Sequence, residues 1–364
     1  MNKQYPERLE IVPLAKPPKA TVSVPGSKSI TNRALVLAAL LDGFELRGAL
    51  YSEDTEFMTR SLQILGWLVD SDSDGTIGIC RDDWGNYDSS SFLPSRADLF
   101  VGNSGTTMRF LCAFVSLGHG TYRLDGTPRM RQRPIEDLLS ALRQLGVDAV
   151  SENGNGCPPV IIRSQGLRGG RVRIKGDVSS QFLSGLLMVA PCADDETIIE
   201  VEPPLVSVPY VRMTIEMMQS FGFQVQVTDW TQFRIPASQD PWKHIIASGH
   251  NRPFFTYAVE PDASAASYFW AAAAVTGGTV TVTDLTRQSI QGDIRFVDLL
   301  EQMGCRVEEC SSGITVHGRP LRGIDVDMND ISDTVMTLGA VACFAEGPTT
   351  IRNVAHIRHK ETDR

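Results

Sequence analysis

The sequence predicts an α/β protein of two domains. Three observations indicate this class: apolar helical segments alternate with β-branched runs, small-polar loops recur before those helices, and both features repeat with a period of roughly 80 residues. The chain has 364 residues, which exceeds one ordinary core and fits two domains of typical size.

The first repeating feature is a small-polar loop that leads into an apolar helix. Its serines stand at positions 27, 104, 179, 264 and 332, spaced by 77, 75, 85 and 68 residues. Ser, Thr and Asp before an apolar helix also suit plain N-capping, so that interpretation stays open for any single loop. Five loops in register, three of them with Lys or Arg within the same or the next helical turn, favour ligand binding.

The second repeating feature is an amphipathic helix that ends on glycine and precedes a strand. The glycines are Gly66, Gly146, Gly222 and Gly304, spaced by 80, 76 and 82 residues. Glycine commonly ends a helix because it tolerates the left-handed conformation at the cap. We therefore predict strands that begin at positions 67, 147, 223 and 305.

The period also predicts how far each unit extends. The fifth polar loop leads into a helix over 334–344, and its partner helix would close near residue 372 if the period holds. The chain ends at Arg364. We therefore expect an incomplete fifth unit, no sixth unit, and turnover by this chain below a normal rate.

Composition excludes several classes of function. The net charge is −9 with no basic stripe of the kind that binds nucleic acid. The N-terminus has no secretory signal, and no apolar run approaches the roughly 20 residues that cross a bilayer. The seven cysteines include no CxxC pair, which indicates reduced thiols and no zinc site. We expect a cytoplasmic protein, with Cys112, Cys192 and Cys343 in its core.

Cations gather in the small-residue loops. Lys28, Ser29 and Arg33 lie at the start of the first predicted helix, where unpaired N–H groups and the helix dipole favour an anion. The segment 102–109 repeats this scheme with glycines that let a ligand approach the backbone. Segment 128–134 holds three arginines between two prolines. A solvated charged turn is the alternative there, although the prolines restrict its shape.

Neutral and acidic side chains complete the candidate site. Ser179, Ser180 and Gln181 can hydrogen-bond hydroxyl groups and phosphate edges. Asp333 follows a serine in a loop, and Glu361 stands among cations near the C-terminus. Carboxylates beside cations in a cleft are candidates for proton transfer. A solvated tail remains the alternative for the last cluster.

Taken together, five segments resemble the 5-enolpyruvylshikimate-3-phosphate synthase family. They are Pro25–Leu35, Gly102–Arg109, Pro128–Ile135, Val178–Leu183 and Lys360–Arg364, and the resemblance runs from Val22 to Arg364. It implies two domains, each with three βαβαββ units about a pseudo-threefold axis. Residues 1–25 and 260–364 would form a first, incomplete domain, and residues 26–259 a second domain of three units.

The resemblance also implies a reaction. The enolpyruvyl group of phosphoenolpyruvate would pass to the 5-hydroxyl of shikimate 3-phosphate, with release of phosphate, in aromatic amino-acid biosynthesis. No metal and no organic cofactor are implied. The implied partners are the two small substrates, with no nucleic acid and no membrane, and we expect a monomer.

Site residues follow from the same resemblance, position by position. The implied shikimate 3-phosphate ligands are Lys28, Ser29, Arg33, Ser179, Ser180, Gln181, Ser207, Asp333, His356 and Lys360. The implied phosphoenolpyruvate ligands are Lys28, Asn103, Gly105, Arg129, Gln181 and Arg364. Among these and their neighbours, the implied catalytic residues are Asp333 as proton acceptor, Glu361 as proton donor and Lys28.

Two alternatives remain at this point. A UDP-N-acetylglucosamine enolpyruvyl transferase shares the fold, but it usually carries a reactive cysteine in a glycine-rich loop, and no cysteine here has that setting. A truncated, inactive relative would bind shikimate 3-phosphate only, because most of the implied ligands for that molecule lie within residues 27–260.

Overall fold

The structure is a computed structural model that describes residues 6, 8–72, 75–81, 92–239 and 255–363. Within these ranges no helix is long and apolar enough to cross a membrane, and no three His, Cys, Asp or Glu side chains group as metal ligands.

The described residues form α-helices that fall into the two predicted series. They are α1 (Lys28–Leu41), α2 (Glu53–Ile64), α3 (Gly105–Phe114), α4 (Glu136–Gln144), α5 (Ser180–Val189), α6 (Val208–Ser220), α7 (Ala263–Thr276), α8 (Phe296–Gln302) and α9 (Val335–Ala342). Each predicted polar loop precedes a helix of the odd-numbered series, and each predicted glycine closes a helix of the even-numbered series.

Helix caps explain why the polar loops stand where they do. The side chains of Ser27, Ser104 and Ser179 accept backbone N–H groups at the starts of α1, α3 and α5. At α7 the cap is Asp262, whose Oδ1 accepts the Ala265 N–H at 2.9 Å, so Ser264 is not the cap. The fifth serine, at 332, lies in a 3₁₀ segment (Asn329–Thr334) that leads into α9.

Strands fill the spaces between the helices. They are β1 (Lys19–Val22), β2 (Phe44–Arg47), β3 (Trp67–Ser71), β4 (Ile77–Arg81), β5 (Arg96–Phe100), β6 (His119–Asp125), β7 (Asp148–Ser151), β8 (Val160–Gln165), β9 (Gly170–Lys175), β10 (Thr197–Glu202), β11 (Gln226–Thr228), β12 (Gln232–Ile235), β13 (Phe255–Ala258), β14 (Thr279–Thr283), β15 (Arg306–Cys310), β16 (Gly313–His317), β17 (Asp325–Asp327) and β18 (Thr350–Arg352).

Four sheets share one topology, in which a parallel pair is extended by two antiparallel strands. The sheet β5-β6-β8-β7 is an example: β5 and β6 run parallel, and β6, β8 and β7 pair antiparallel. In this sheet the helix α3 joins the parallel strands β5 and β6, a usual form of such a crossover. The sheets β11-β12-β10-β9, β13-β2-β4-β3 and β1-β14-β16-β15 repeat this pattern, and β17 and β18 form a parallel pair.

Two sheets exchange their first strands. The strand β1 precedes α1 along the chain but pairs with β14, and β13 precedes α7 but pairs with β2. The chain therefore crosses over twice, and the crossings lie side by side. The Ser27 N–H donates to the Glu260 carbonyl at 2.8 Å, and the Asp262 N–H donates to the Pro25 carbonyl at 2.9 Å.

Buried apolar residues form two separate cores. One contains residues from Ile30 to Val259, and the other contains Val24 together with residues from Ala263 to Ile357. We propose that these cores belong to the two domains expected from the repeat. Burying an apolar side chain stabilises the fold by about 1.5–3 kcal/mol, so each core stabilises its own group of sheets and helices.

Two predictions need correction. The strand after α6 begins at Gln226 rather than Phe223, because the preceding residues turn at Gly222 and bury Phe223 in the core as a loop. Cys112 is buried as predicted, but Cys192 and Cys343 are exposed. Both stand at the ends of helical segments, where the chain turns at the surface.

Candidate active site

A polar pocket lies where the two cores face each other. It is formed by the N-terminal ends of α1, α5 and α6 on one side and by residues before α9 and near the C-terminus on the other. The lining residues are Ser29, Arg33, Val178, Ser179, Ser180, Gln181, Val206, Ser207, Tyr210, Asp333, His356 and Lys360. Of the ten residues predicted to hold shikimate 3-phosphate, Lys28 alone is missing from this lining.

Arg33 is built into the wall of this pocket. Its Nε donates to Thr214 Oγ1 at 2.7 Å, its Nη1 donates to the Ser29 carbonyl at 2.9 Å, and its Nη2 contacts Ser184 Oγ and the Tyr210 carbonyl. Burial lowers the pKa of its guanidinium to about 10, which leaves it charged at neutral pH. Four of five N–H groups are thus used, so Arg33 organises the wall and can offer one N–H to a ligand.

Ser207 is held in an unusual backbone conformation. Its φ of 54° is left-handed, which is uncommon for a residue other than glycine. The Asn329 side chain accepts its N–H at 3.0 Å, and its hydroxyl lies 3.5 Å from His356 Nε2. These contacts join α6 to the opposite side of the pocket and aim the Ser207 hydroxyl inward.

Asp333 meets a cation and a hydroxyl group. Its Oδ1 lies 3.4 Å from Lys360 Nζ, and its Oδ2 accepts from the Tyr210 hydroxyl at 2.9 Å. Burial first, and then the carboxylates of Asp293 and Asp333, raise the pKa of Tyr210 well above its usual value. Tyr210 therefore stays a neutral donor, and the ammonium group of Lys360 favours the carboxylate form of Asp333.

A second pocket adjoins the first. Its lining residues are Arg109, Arg133, Pro134, Val178, Ser179, Gln181, Phe182, His356 and Lys360. Gln181 lines both pockets, and its Nε2 donates to Thr106 Oγ1 at 3.1 Å, which orients the amide between them. A molecule in either pocket would therefore contact the same amide.

Two arginines concentrate positive charge beside the second pocket. Arg109 is buried, and burial followed by repulsion from Arg133 lowers its pKa to about 9. Gly105 lies against both side chains: an added Cβ would stand 2.3 Å from Arg133 Nη2 and 2.6 Å from Arg109 Nη1. Glycine at this position is therefore what lets the two guanidinium groups lie so close to the start of α3.

Glu361 reaches across to this positive group. Its carboxylate lies 3.7 Å from Arg133 Nη2, and its backbone carbonyl accepts from Asn103 Nδ2 at 3.3 Å. Burial raises its pKa, but Lys28 and Arg133 outweigh that effect, so the pKa lies below the usual value. The carboxyl is therefore ionised at neutral pH.

Lys28 stands between the acidic residues of the cleft. Its Nζ forms an ion pair with Asp54 Oδ2 at 2.9 Å, and its backbone N–H donates to Asp262 Oδ2 at 3.0 Å. Burial lowers its pKa, but Asp54, Glu361 and Asp333 together outweigh that effect and leave the pKa raised. The side chain therefore remains a cation through neutral pH and faces both predicted proton-transfer groups.

Arg129 holds the C-terminal segment across the cleft. Its Nη2 donates to the carbonyl oxygens of Arg358 and Lys360, each at 3.2 Å. Its Nε is buried and has no hydrogen-bond partner in the part of the chain that the structure describes. Arg129 lines neither pocket, but it contacts the carbonyl of Lys360, which lines the second pocket. Arg364, predicted to bind phosphoenolpyruvate, lies outside the described residues.

Sequence reasoning missed Asp54 and Asp293, and it assigned no individual role to Arg109 or Arg133. Asp54 pairs with Lys28 from the start of α2, and Asp293 lies against Tyr210 from the segment before α8. Neither carries a local signal, because each partner is distant along the chain. Arg109 lies within the loop motif 102–109, and its place four residues after Gly105 on the helix does put its side chain over the loop.

Comparison with known proteins shows which family the sequence matches. Residues 14–364 match the family described as EPSP synthase (3-phosphoshikimate 1-carboxyvinyltransferase). A 3-phosphoshikimate 1-carboxyvinyltransferase of Nostoc punctiforme is 48% identical over 98% of this chain and 81% of that protein. The chloroplastic one of Arabidopsis thaliana is 44% identical over 94% of this chain and 66% of that protein.

Solved structures give the same fold. An EPSP synthase from Acinetobacter baumannii superposes with a TM-score of 0.75 at 25% identity, covering 97% of this chain and 77% of that one. The enolpyruvyl transferase NikO from Streptomyces tendae superposes with a TM-score of 0.67 at 19% identity, covering 93% and 75%. The likeness to NikO is one of fold alone.

Proposed function

The chain belongs to the EPSP synthase family, and on that premise we propose that its cleft holds shikimate 3-phosphate and phosphoenolpyruvate in the two adjoining pockets. The reaction is transfer of the enolpyruvyl group from phosphoenolpyruvate to shikimate 3-phosphate, a step of aromatic amino-acid biosynthesis. This function is favoured over the UDP-N-acetylglucosamine enolpyruvyl transferase alternative by the family match.

Shikimate 3-phosphate occupies the first pocket in this proposal. The N-terminal ends of α1 and α5 supply backbone N–H groups and positive dipole ends for its phosphate. Ser29, Ser180 and Ser207 add hydroxyl donors, and Lys360 is placed to reach the hydroxyl groups of the shikimate ring. Hydrogen bonds of this kind to a charged phosphate contribute about 1.5–3 kcal/mol each.

Phosphoenolpyruvate occupies the second pocket. It carries a phosphate and a carboxylate, and the guanidinium fork of arginine binds two oxygens of such a group at once. Arg133 and Arg109 line this pocket, and Gly105 lies against both of their side chains. Glu361 lies 3.7 Å from Arg133 Nη2, and its backbone carbonyl accepts from Asn103 Nδ2. Lys28 and Arg129 complete the proposed set of phosphoenolpyruvate ligands. The assignment of Arg129 follows from the resemblance, and its buried Nε, which has no hydrogen-bond partner among the described residues, is a donor that a ligand oxygen would satisfy.

Asp333 acts as the base in this assignment. The attacking hydroxyl of shikimate 3-phosphate must lose a proton as its oxygen bonds to the enol carbon C2. Asp333 presents a carboxylate held by Lys360 and Tyr210 inside the first pocket, within reach of a ring hydroxyl there. Positioned proton transfer of this kind contributes typically about 10²–10⁴-fold to a rate.

Glu361 donates the proton that the C3 methylene of the enol must gain. The carboxyl is ionised in the ligand-free protein, because Lys28 and Arg133 hold its pKa low. Phosphoenolpyruvate brings negative charge between these groups, which offsets the two cations and favours uptake of a proton by Glu361. Protonation at C3 and attack at C2 give a tetrahedral adduct, from which phosphate then leaves as C3 returns its proton.

The observation that carries this proposal is the shared wall of the two pockets, with Gln181 and Lys360 lining both. The proposed steps use only the charges of the protein's own side chains, and the resemblance implies no metal and no organic cofactor. We further propose that the protein acts in the cytoplasm, as expected from its composition, and that it is a monomer.

Phosphorus NMR tests the proposed function directly. The purified chain is mixed with both substrates, and we expect phosphoenolpyruvate and shikimate 3-phosphate to disappear together as inorganic phosphate and one new phosphomonoester appear. Mixtures that lack either substrate are the controls. Phosphate release from phosphoenolpyruvate alone, or the absence of the new ester, would contradict the proposal.

A further inference from the structure

The Tyr210 hydroxyl touches two carboxyl groups at once. Its oxygen lies 2.9 Å from Asp293 Oδ2 and 2.9 Å from Asp333 Oδ2. A tyrosine hydroxyl has one proton, so it can donate to only one of them. The other short oxygen–oxygen contact requires a second proton, and one of the two carboxyl groups must supply it.

The surroundings decide which carboxyl group carries that proton. Asp333 is 26% exposed and has the ammonium group of Lys360 at 3.4 Å, which favours its charged form. Asp293 is 3% exposed and forms no ion pair in the described part of the chain. Its Oδ2 meets only the hydroxyl groups of Tyr210 and Ser264, and its Oδ1 has no hydrogen-bond partner among the described residues.

A charge in the position of Asp293 would be buried without a cation, whereas a neutral carboxylic acid there is far less costly. We propose that Asp293 is a carboxylic acid whose proton is donated to the Tyr210 oxygen, so that the Tyr210 proton is directed to Asp333. Asp293 is then a positioning residue for the proposed base, acting through Tyr210.

The hydrogen bonds from Asp293 through Tyr210 to Asp333 all run in one direction. The acid proton of Asp293 points to Tyr210, and the hydroxyl proton of Tyr210 points to Asp333 Oδ2. In this proposal Asp333 Oδ1, the oxygen beside Lys360, receives the proton from the substrate. Because the neutral acid lies behind Tyr210, no second negative charge competes for the tyrosine proton.

The charged groups around Asp293 agree with this assignment. Burial first, then Asp333, and to a smaller extent Asp262 raise its pKa to about 7, while the hydroxyl groups of Ser264 and Tyr210 lower it. Arg295, two residues further along the chain, forms an exposed ion pair with Asp330 at 3.1 Å. Below about pH 7 the acid form dominates. Above it Asp293 ionises, and two carboxylates then compete for the Tyr210 proton.

Carbon NMR of protein labelled at the aspartate carboxyl carbon tests the assignment. The resonance absent from Asp293→Asn identifies residue 293, and the asparagine amide keeps an N–H donor for Tyr210. We expect this resonance to titrate near pH 7 and its midpoint to fall in Asp333→Asn, where the neighbouring charge is removed. Asp330→Asn is the matched control and should leave the midpoint in place. A midpoint below about pH 5, near the ordinary range of aspartate, would overturn the proposal.

The positioning role rests on the proposed function, whereas the titration needs no substrate, so the two can fail separately. Absence of enolpyruvyl transfer together with a midpoint near 7 would refute the function and leave the proton on Asp293. In the active protein, we expect kcat to fall about threefold in Asp293→Asn and about thirtyfold in Asp293→Leu, with similar KM, because only asparagine can still donate to Tyr210. An equal loss in both variants would overturn the positioning role.

Discussion

Lys360 Nζ lies 3.4 Å from Asp333 Oδ1, although the two residues approach the cleft from different segments. The same carboxyl group accepts the hydroxyl of Tyr210 from the other core. The proposed base is therefore held from both sides of the cleft. The Lys360 ammonium group stabilises its charge, and the Tyr210 hydroxyl orients it.

The first prediction concerns Asp333→Asn. The amide cannot accept the proton of the attacking hydroxyl, so we expect kcat to fall by about 10²–10⁴-fold while shikimate 3-phosphate binding changes little. Phosphate release and calorimetry measure the two effects. Asp330→Asn, an exposed partner of Arg295 a few residues away, is the control and should stay near wild type. A kcat within a factor of three of wild type would show that Asp333 is not the base.

The second prediction concerns the protonation of Glu361. Its pKa is held below the usual value, so the ligand-free carboxyl is charged above that pKa and becomes neutral only as the pH falls through it. Phosphoenolpyruvate should raise the pKa, and binding at pH 6 should then take up a proton. Calorimetry in buffers of different ionisation enthalpy measures the uptake, and we expect Glu361→Gln to abolish it. Equal uptake in the variant would assign the proton elsewhere.

The third prediction concerns Arg129→Ala. We expect phosphoenolpyruvate binding to weaken by about 1.5–3 kcal/mol, since a charged hydrogen-bond donor is lost, and shikimate 3-phosphate binding to change far less. Arg131→Ala is the matched control, because Arg131 lies in the same segment but pairs with Asp125 at 2.6 Å. Calorimetric titration with each ligand measures the two affinities, and an equal loss of both would refute the assignment of Arg129.

The fourth prediction concerns Gly105→Ala. The added methyl group would stand 2.3 Å from Arg133 Nη2, so the buried guanidinium must shift from its position beside the second pocket. Overpacking of this kind costs about 1–3 kcal/mol, and we expect phosphoenolpyruvate affinity to fall by a similar amount. Gly339→Ala in α9 is the control, because nothing lies within 4 Å of its added Cβ. Unchanged phosphoenolpyruvate affinity in Gly105→Ala would show that Arg133 does not bind it.

Local chemistry explains what the sequence could predict. Serines 27, 104 and 179 cap helices through bonds to residues two or three positions away, so the loops and helix starts are visible along the chain. The α/β class and the repeat follow from the same local signals, and the family match confirms the resemblance. The strand after α6 begins later than predicted because Phe223 is buried in the core, and tertiary burial overrides the local preference for a strand.

Distant pairings explain what the sequence could not predict. Tyr210 and Asp293 are 83 residues apart, and nothing in either segment indicates that they touch. The exchange of β1 and β13 between sheets likewise depends on pairing across most of the chain. Arg33 was predicted as a ligand, but its role in holding Thr214 and Ser184 emerges only once α5 and α6 pack against α1.

Calorimetric titration of shikimate 3-phosphate tests the central claim most directly, because the first pocket is proposed to use residues of both cores. Ser180→Ala changes one side and Lys360→Met the other, while Ser140→Ala in α4 changes a serine that lines neither pocket. We predict one binding site in the wild type, affinity lowered by about tenfold in each pocket variant, and no change in Ser140→Ala. Binding that neither pocket variant weakens would place the ligand elsewhere and contradict the account.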